Sequence, residues 1–164
     1  MNLFLCRHAI AAASSLTTDR LRPLTPEGER KFRRAARGFL RLKPEIELIL
    51  CSPLLRARQT AEILAEEIDS LSRRPVHLDT IDYLAPPGRL DALLSHLAGL
   101  KAVEGVVAVG HEPILSDWIG QLCFGQVGRC ELKKGGIALI RLDSSCKQGF
   151  LEFLMQAGQL RKLV

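Results

Sequence analysis

The chain has 164 residues, 47% of them apolar and 25% charged, with a formal net charge of +5. That composition excludes a predominantly disordered chain and suits one globular domain over residues 1–164, burying roughly 68–70% of its unfolded surface. No apolar run reaches the 18 or so residues a membrane span needs, and the apolar stretch 3–6 is cut short by Arg7 and His8, so neither a membrane segment nor a signal peptide is expected.

The charge is uneven. Residues 1–75 hold 14 Lys+Arg against 9 Asp+Glu, while residues 76–164 hold nine of each. With 5% aromatics and no base-stacking pattern, no nucleic-acid partner is expected, and the basic excess points to a local anionic ligand. The five cysteines, at positions 6, 51, 123, 130 and 146, form an odd set without a C-x-x-C pair or zinc-ligand spacing. They suggest buried packing residues in a reducing, cytoplasmic location, and neither metal nor cofactor is expected.

The first predicted element is an apolar strand over residues 2–6, followed at once by Arg7-His8. A polar, Ser/Thr-rich loop runs to about Leu24. Thr25 then offers an N-cap and Pro26 a first helical residue, and Phe32, Ala35, Ala36, Phe39 and Leu40 recur at helical spacing. The opposite face carries Arg30, Arg34, Arg37 and Arg41, a solvated face or a docking surface for acidic proteins. Residues 46–51 read as a second strand, and Ser52-Pro53 as the cap and first turn of a helix to about Ile68, with Arg56 in that turn.

A short strand over 76–78 follows, then a break at Pro86-Pro87-Gly88 and a third helical stripe of Leu90, Leu93, Leu94 and Leu97. Residues 105–110 read as a fully buried strand, and Pro113 opens a fourth helix to about Leu122. Lys133-Lys134-Gly135-Gly136 reads as a turn, and 137–142 and 150–155 as two closing strands. Strands alternating with amphipathic helices imply an α/β fold, a three-layer α/β/α sandwich around a largely parallel sheet.

In such sheets ligands bind beyond the carboxyl ends of the strands. Here three strands lead into Arg7-His8, into Ser52-Pro53 and Arg56, and into Gly110-His111. Two guanidinium groups and two imidazoles converging beside a helix amino terminus suit a phosphoryl group, whose oxygens need fixed donors and whose phosphorus needs a nucleophile. Neutral imidazole, with an ordinary pKa of about 6.5, can be that nucleophile. Two rival chemistries fail on spacing. His111-Glu112 lacks a second histidine at position 115, which is leucine, and Cys51 and Arg56 are separated by four residues where a cysteine-dependent phosphatase needs five.

Four stretches in this order resemble the histidine phosphatase superfamily, also called phosphoglycerate-mutase-like, and in length its small SixA-type branch of phosphohistidine phosphatases. They are Arg7-His8-Ala9, Arg22-Pro23-Leu24-Thr25, the run from Ser52-Pro53-Leu54-Leu55-Arg56 through Ala57-Arg58-Gln59-Thr60-Ala61, and Val109-Gly110-His111-Glu112-Pro113. The resemblance extends from Met1 to about Leu142. It implies a cofactor-independent phosphatase in which His8 is the phosphorylated nucleophile, Arg7, Arg56 and His111 form the phosphate pocket, and Arg22 is a further pocket residue. It also implies a phosphohistidine-bearing protein, such as a phosphotransfer domain of a signalling relay, as substrate and partner.

Two departures stand out. Ala9 replaces the family's usual glycine, which its backbone tolerates only with a negative φ. Larger members also carry a glutamate as general acid near the stretch Asp82-Tyr83-Leu84, where Tyr83 stands here; Asp82 and Asp19 are the candidates to replace it. These departures leave two other readings open: a phosphomonoesterase or mutase for small molecules, and a catalytically weak phospho-binding regulatory module. His77 and His96 carry no partner signal.

Overall fold

Strand β1 (Asn2–Arg7) lies near the middle of the sheet because its apolar run Leu3 to Cys6 is suited to burial on both faces, only the end residues Asn2 and Arg7 being partly exposed. The computed structural model describes residues 1–13, 18–72, 75–100, 102–128 and 130–164. In chain order the further elements are α1 (Pro26–Leu40), β2 (Leu48–Cys51), α2 (Leu55–Ser72), β3 (His77–Thr80), α3 (Leu90–Gly99), β4 (Gly105–Gly110), α4 (Ile114–Phe124), β5 (Ile137–Leu142), β6 (Gly149–Met155) and α5 (Ala157–Leu160). Short 3-10 turns sit at Asp19–Leu21, Asp82–Leu84 and Arg161–Leu163.

The six strands form one sheet in the order β3-β2-β4-β1-β5-β6. The first four are mutually parallel, and β5 and β6 each run antiparallel to the preceding neighbour. This is the expected α/β/α sandwich. The two-residue period of β1 sorts its side chains between the layers: Leu3 and Leu5 pack with Leu93 and Leu97 of α3 and with Leu115, Trp118 and Ile119 of α4. Phe4 and Cys6 pack on the other face with Phe32, Ala36 and Phe39 of α1 and Ala57, Ala61 and Leu64 of α2. Phe4 meets Phe39 edge to face at 5.4 Å between centroids, a geometry worth about 0.5–1.5 kcal/mol beyond area burial.

Helix α1 begins as its sequence predicts, with the Thr25 side chain accepting from the Gly28 N–H and Pro26 in the first turn, a cap worth about 1 kcal/mol. Its basic face, Arg30, Arg34, Arg37 and Arg41, is exposed as expected, but part of it is paired along one edge. Arg33 and Arg37 both hold the buried Glu67 of α2, at 3.0 and 2.8 Å, and Arg34 donates to the Val164 carbonyl at 3.3 Å. Burial alone would raise the Glu67 carboxyl; the two guanidinium groups outweigh it and hold the carboxyl below its ordinary range.

Other boundaries move by a few residues. Strand β3 is shifted to His77–Thr80, and α2 runs on to Ser72. The four-residue α5 was not foreseen; its Leu160 is buried in the layer that holds Phe39. Only Cys6, Cys51 and Cys146 are buried, Cys123 and Cys130 being partly exposed, and all five are free thiols.

The register brings the carboxyl ends of β1, β2 and β4 to one edge, with Arg7 opposite Gly110 and Cys51 opposite Val109. Part of the Ser/Thr-rich loop, residues 14–17, lies outside the described residues. No described helix is long and apolar enough to cross a membrane.

Candidate active site

Each of the three strand ends is tied before it releases a functional side chain. The His8 N–H donates to the Gly110 carbonyl and the Ser52 N–H to the Val109 carbonyl. The Gly135 N–H reaches the carbonyls of Arg7 and His8. That last approach belongs to the expected turn at 133–136, where Gly135 has φ +72°, a conformation side chains beyond glycine rarely adopt. Helix α1 presses on the segment just after His8: a Cβ on Gly28 would sit 2.1 Å from the Ile10 carbonyl oxygen.

The structure brings Arg7, His8, Arg56 and His111 together. The two imidazole rings are 5.2 Å apart between centroids, tilted by 52°, and both are buried. His8 Nδ1 lies 2.7 Å from the Ala9 carbonyl, so that nitrogen carries the proton, since a carbonyl only accepts. Arg56 Nε–H points at His8 Nε2 from 3.3 Å, and a nitrogen facing a donor is bare. Both contacts define the same neutral tautomer, with a lone pair on Nε2. Burial drives the His8 pKa down to about 3, with the charges of Arg56 and Arg7 adding to it and the Ala9 carbonyl opposing. Burial, with Arg56 next in size, takes His111 down to about 4.

Ala9 is compatible with this backbone. Positive φ at non-glycine residues occurs, among the described residues, at Lys43, Ala102 and Cys146, and Ala9 is not one of them. Its N–H donates to Thr60 Oγ1 at 3.0 Å, and the Thr60 hydroxyl donates to the Arg56 carbonyl at 2.6 Å. Thr60 thereby ties the segment behind the first histidine to the helix turn that carries Arg56.

Arg7 donates through Nη1 to the Leu132 carbonyl at 2.9 Å, while its Nε is buried with no partner. His111 Nδ1 is buried and unpartnered as well. A buried polar atom left unmet costs about 1–3 kcal/mol, and two such nitrogens in one cluster with Arg56 mark a place for a polar ligand. The amino terminus of α2, at the same edge, favours negative charge.

Asp19 and Arg22 join the cluster from the loop after β1. Arg56 donates from Nη1 to the Asp19 carbonyl at 2.8 Å and from Nη2 to its Oδ2 at 3.2 Å. Arg22 holds Asp19 Oδ1 through Nη2 at 2.7 Å and Nε at 3.0 Å, and its Nη1 donates to the Ala12 carbonyl. The slight burial of Asp19 would raise its pKa, but the bonds from Arg22 and the charge of Arg56 prevail and hold it low. Asp19 is thus an ionised brace between two guanidinium groups.

Asp82 is exposed in the turn beyond β3 and has no described hydrogen bond to the cluster. Tyr83 turns away, with its hydroxyl 2.5 Å from His96 Nδ1 and its pKa pushed up to about 12, chiefly by burial. His96 therefore has a partner the sequence did not signal, as does His77, whose Nε2 lies 3.1 Å from Asp79.

Two neighbours of the cluster escaped sequence reasoning. Ser52, read as a helix cap, places its hydroxyl 2.8 Å from His111 Nε2. Glu112 follows His111 with one carboxylate oxygen buried and unpartnered, and burial raises its pKa against the opposing effects of Ser116 and Arg7. Both lie inside stretches already singled out, but their contacts are set by neighbouring strands. Among the described residues, no group of three or more His, Cys, Asp or Glu is placed to hold a metal ion.

A family model for the histidine phosphatase superfamily (branch 1) matches residues 3–83. The phosphohistidine phosphatase SixA of Escherichia coli (strain K12) is 31% identical over 147 residues, 88% of each chain. The chain therefore belongs to the histidine phosphatase superfamily. Its likeness to SixA extends to three dimensions: a solved structure of the protein histidine phosphatase SixA complexed with tungstate matches with a TM-score of 0.83 at 30% identity, covering 98% of this chain and 99% of that one. An uncharacterized protein of Picosynechococcus sp. is 41% identical over 145 residues, 86% of this chain and 85% of its own.

Proposed function

We propose that this chain is a phosphatase working through a phosphohistidine intermediate on His8, and that its substrate is phosphohistidine on a signalling protein, such as a phosphotransfer domain. The observation that carries the mechanism is the orientation of the His8 ring: Nδ1–H is held by the Ala9 carbonyl and bare Nε2 faces the Arg56 guanidinium.

In the first step Nε2 attacks phosphorus, a new N–P bond forms, and the bond to the leaving group breaks with its electron pair. The phosphorylated ring gains positive charge, which strengthens its Nδ1–H bond to Ala9. Arg7, Arg56 and His111 supply donors to the phosphoryl oxygens, with Arg22 at the rim, so charge stabilisation comes from fixed side chains. In the second step water attacks phosphorus, the bond to His8 breaks, and inorganic phosphate leaves with His8 neutral again.

Three observations support phosphohistidine over an alkyl ester. SixA of Escherichia coli, 31% identical to this chain, is a phosphohistidine phosphatase. Asp19 is ionised by its two arginine partners and Asp82 lies outside the cluster's hydrogen bonds, so neither is stationed to protonate an alkoxide. A phosphoimidazole protonated on its other nitrogen leaves as neutral imidazole and needs no such donor. The same reading implies no cofactor and, with five free thiols, a cytoplasmic location. Parallel assays on a phosphohistidine protein and a panel of phosphomonoesters test it; faster turnover of the monoesters would overturn the substrate assignment.

A further inference from the structure

Ser52 is wholly buried just beyond β2. Its hydroxyl has two hydrogen-bond neighbours, the Leu54 N–H at 3.3 Å and His111 Nε2 at 2.8 Å. The amide can only donate, so the hydroxyl oxygen accepts there. The hydroxyl has a single proton to give, and the described acceptor for it is His111 Nε2. Were Nε2 protonated instead, two donors would converge on the Ser52 oxygen, and both its own O–H and the bare Nδ1 of His111 would be buried without partners; a bare Nε2 leaves the His111 Nδ1–H alone unmet, one buried polar group fewer.

Nε2 of His111 is therefore bare, and the neutral ring carries its proton on Nδ1, the nitrogen that is buried with no partner. We propose that Ser52 is a positioning residue that locks His111 in the Nδ1–H tautomer, so that the second histidine presents an N–H donor, and not a lone pair, to a phosphoryl oxygen. The identity of that anion rests on the phosphatase reading; the tautomer rests on hydrogen-bond accounting alone. Burial keeps the ring neutral near pH 7, which is why a tautomer, with its one N–H, has to be chosen at all. One turn at the head of α2 thus serves both histidines: Arg56 faces Nε2 of His8, and Ser52, four residues earlier, caps Nε2 of His111.

The test is nitrogen-resolved NMR of the histidine rings in the full chain, in the wild type, Ser52→Ala and Ser52→Thr, with turnover of p-nitrophenyl phosphate measured alongside. The expected result is Nδ1–H on His111 in the wild type and in Ser52→Thr, which keeps the hydroxyl, and a shift toward Nε2–H in Ser52→Ala while the His8 signals stay in place. Turnover by Ser52→Ala should fall about ten- to a hundredfold, less than the 10²–10³ that loss of an aimed donor costs, with recovery in Ser52→Thr. Nε2–H in the wild type, or an unchanged tautomer in Ser52→Ala, would overturn the proposal. Should Ser52→Ala fail to fold, the wild-type spectrum still decides. Failure of the phosphatase reading would register separately, as absent turnover by a wild type that retains the Nδ1–H ring.

Discussion

Arg56 Nε stands 3.3 Å from His8 Nε2, so the cation that would stabilise a phosphoryl group also keeps unprotonated the nitrogen proposed to attack it. The contact is compatible with attack because Nε–H approaches the lone pair as a donor and can turn to an oxygen once phosphorus occupies that position. The proton that must stay on the ring is held at the far nitrogen by the Ala9 carbonyl.

A covalent intermediate should therefore form on His8. Rapid quenching during turnover, without acid, should trap phosphate in a bond that is acid-labile and base-stable, as an N–P bond to imidazole is. His8→Ala should lose both the label and the activity. Phosphate recovered on serine or cysteine would rule this mechanism out.

Removing the guanidinium should be nearly as informative. Arg56→Ala is expected to lower kcat by about 10²–10³, since it deletes an aimed cationic donor, and Arg56→Lys should restore only part because lysine lacks the planar fork. The variant also releases Asp19 from its carbonyl and carboxylate contacts. A steady-state rate close to wild type would show that Arg56 does not touch the reacting group.

How much of this was legible beforehand follows from the range of each interaction. Strands β1 and β4 and the start of α1 carry local signatures: continuous apolar runs ended by Arg7-His8 and Gly110-His111, and Thr25-Pro26 as cap and first turn. Their junctions gave the convergence of Arg7, His8, Arg56 and His111. Asp19 stands out in the sequence only as a candidate acid, and its brace to Arg56 has no local sign because it spans 37 residues. The Leu132 carbonyl that holds Arg7 is 125 residues away and has no side-chain signature. Helix α5 is four residues long and capped by Gln156 and Gln159, outside the usual Ser/Thr/Asp signals. Strand β3 is at least partly exposed along its whole length, with no continuous apolar run to fix its boundaries.

Stability should fall with acid before most carboxylates titrate. His8 and His111 have folded pKa values near 3 and 4 against about 6.5 unfolded. Above pH 6.5 neither state binds a proton and both histidines are neutral about stability. Below it the unfolded chain takes up protons that the folded chain refuses, so folding free energy drops until the folded values are reached. At about 1.4 kcal/mol per pKa unit, the loss between pH 6.5 and 4.5 is on the order of a few kcal/mol. Urea midpoints measured across that range should decline, and the His8→Asn, His111→Asn double variant should decline less. Equal slopes would mean that the two rings are not buried as neutral groups.

The leaving group should decide the order of substrates. Expelling an alkoxide needs a proton in the transition state, a service typically worth about 10²–10⁴ in rate. Asp19 holds none, because Arg22 and Arg56 keep it ionised. The expected order in kcat/KM is phosphohistidine first, activated aryl phosphates next and alkyl phosphates last. Asp19→Asn removes a charge from a brace whose carboxylate is 58% exposed, where ion pairs are worth about 0–1 kcal/mol, so the rate loss should be about tenfold at most and similar for all three substrates. Asp82→Asn should leave all three nearly unchanged. If Asp19→Asn or Asp82→Asn cripples alkyl phosphate turnover while sparing phosphohistidine, that aspartate is the general acid after all. An alkyl monoester turned over as fast as phosphohistidine in the wild type would instead move the small-molecule phosphatase ahead of the signalling phosphatase.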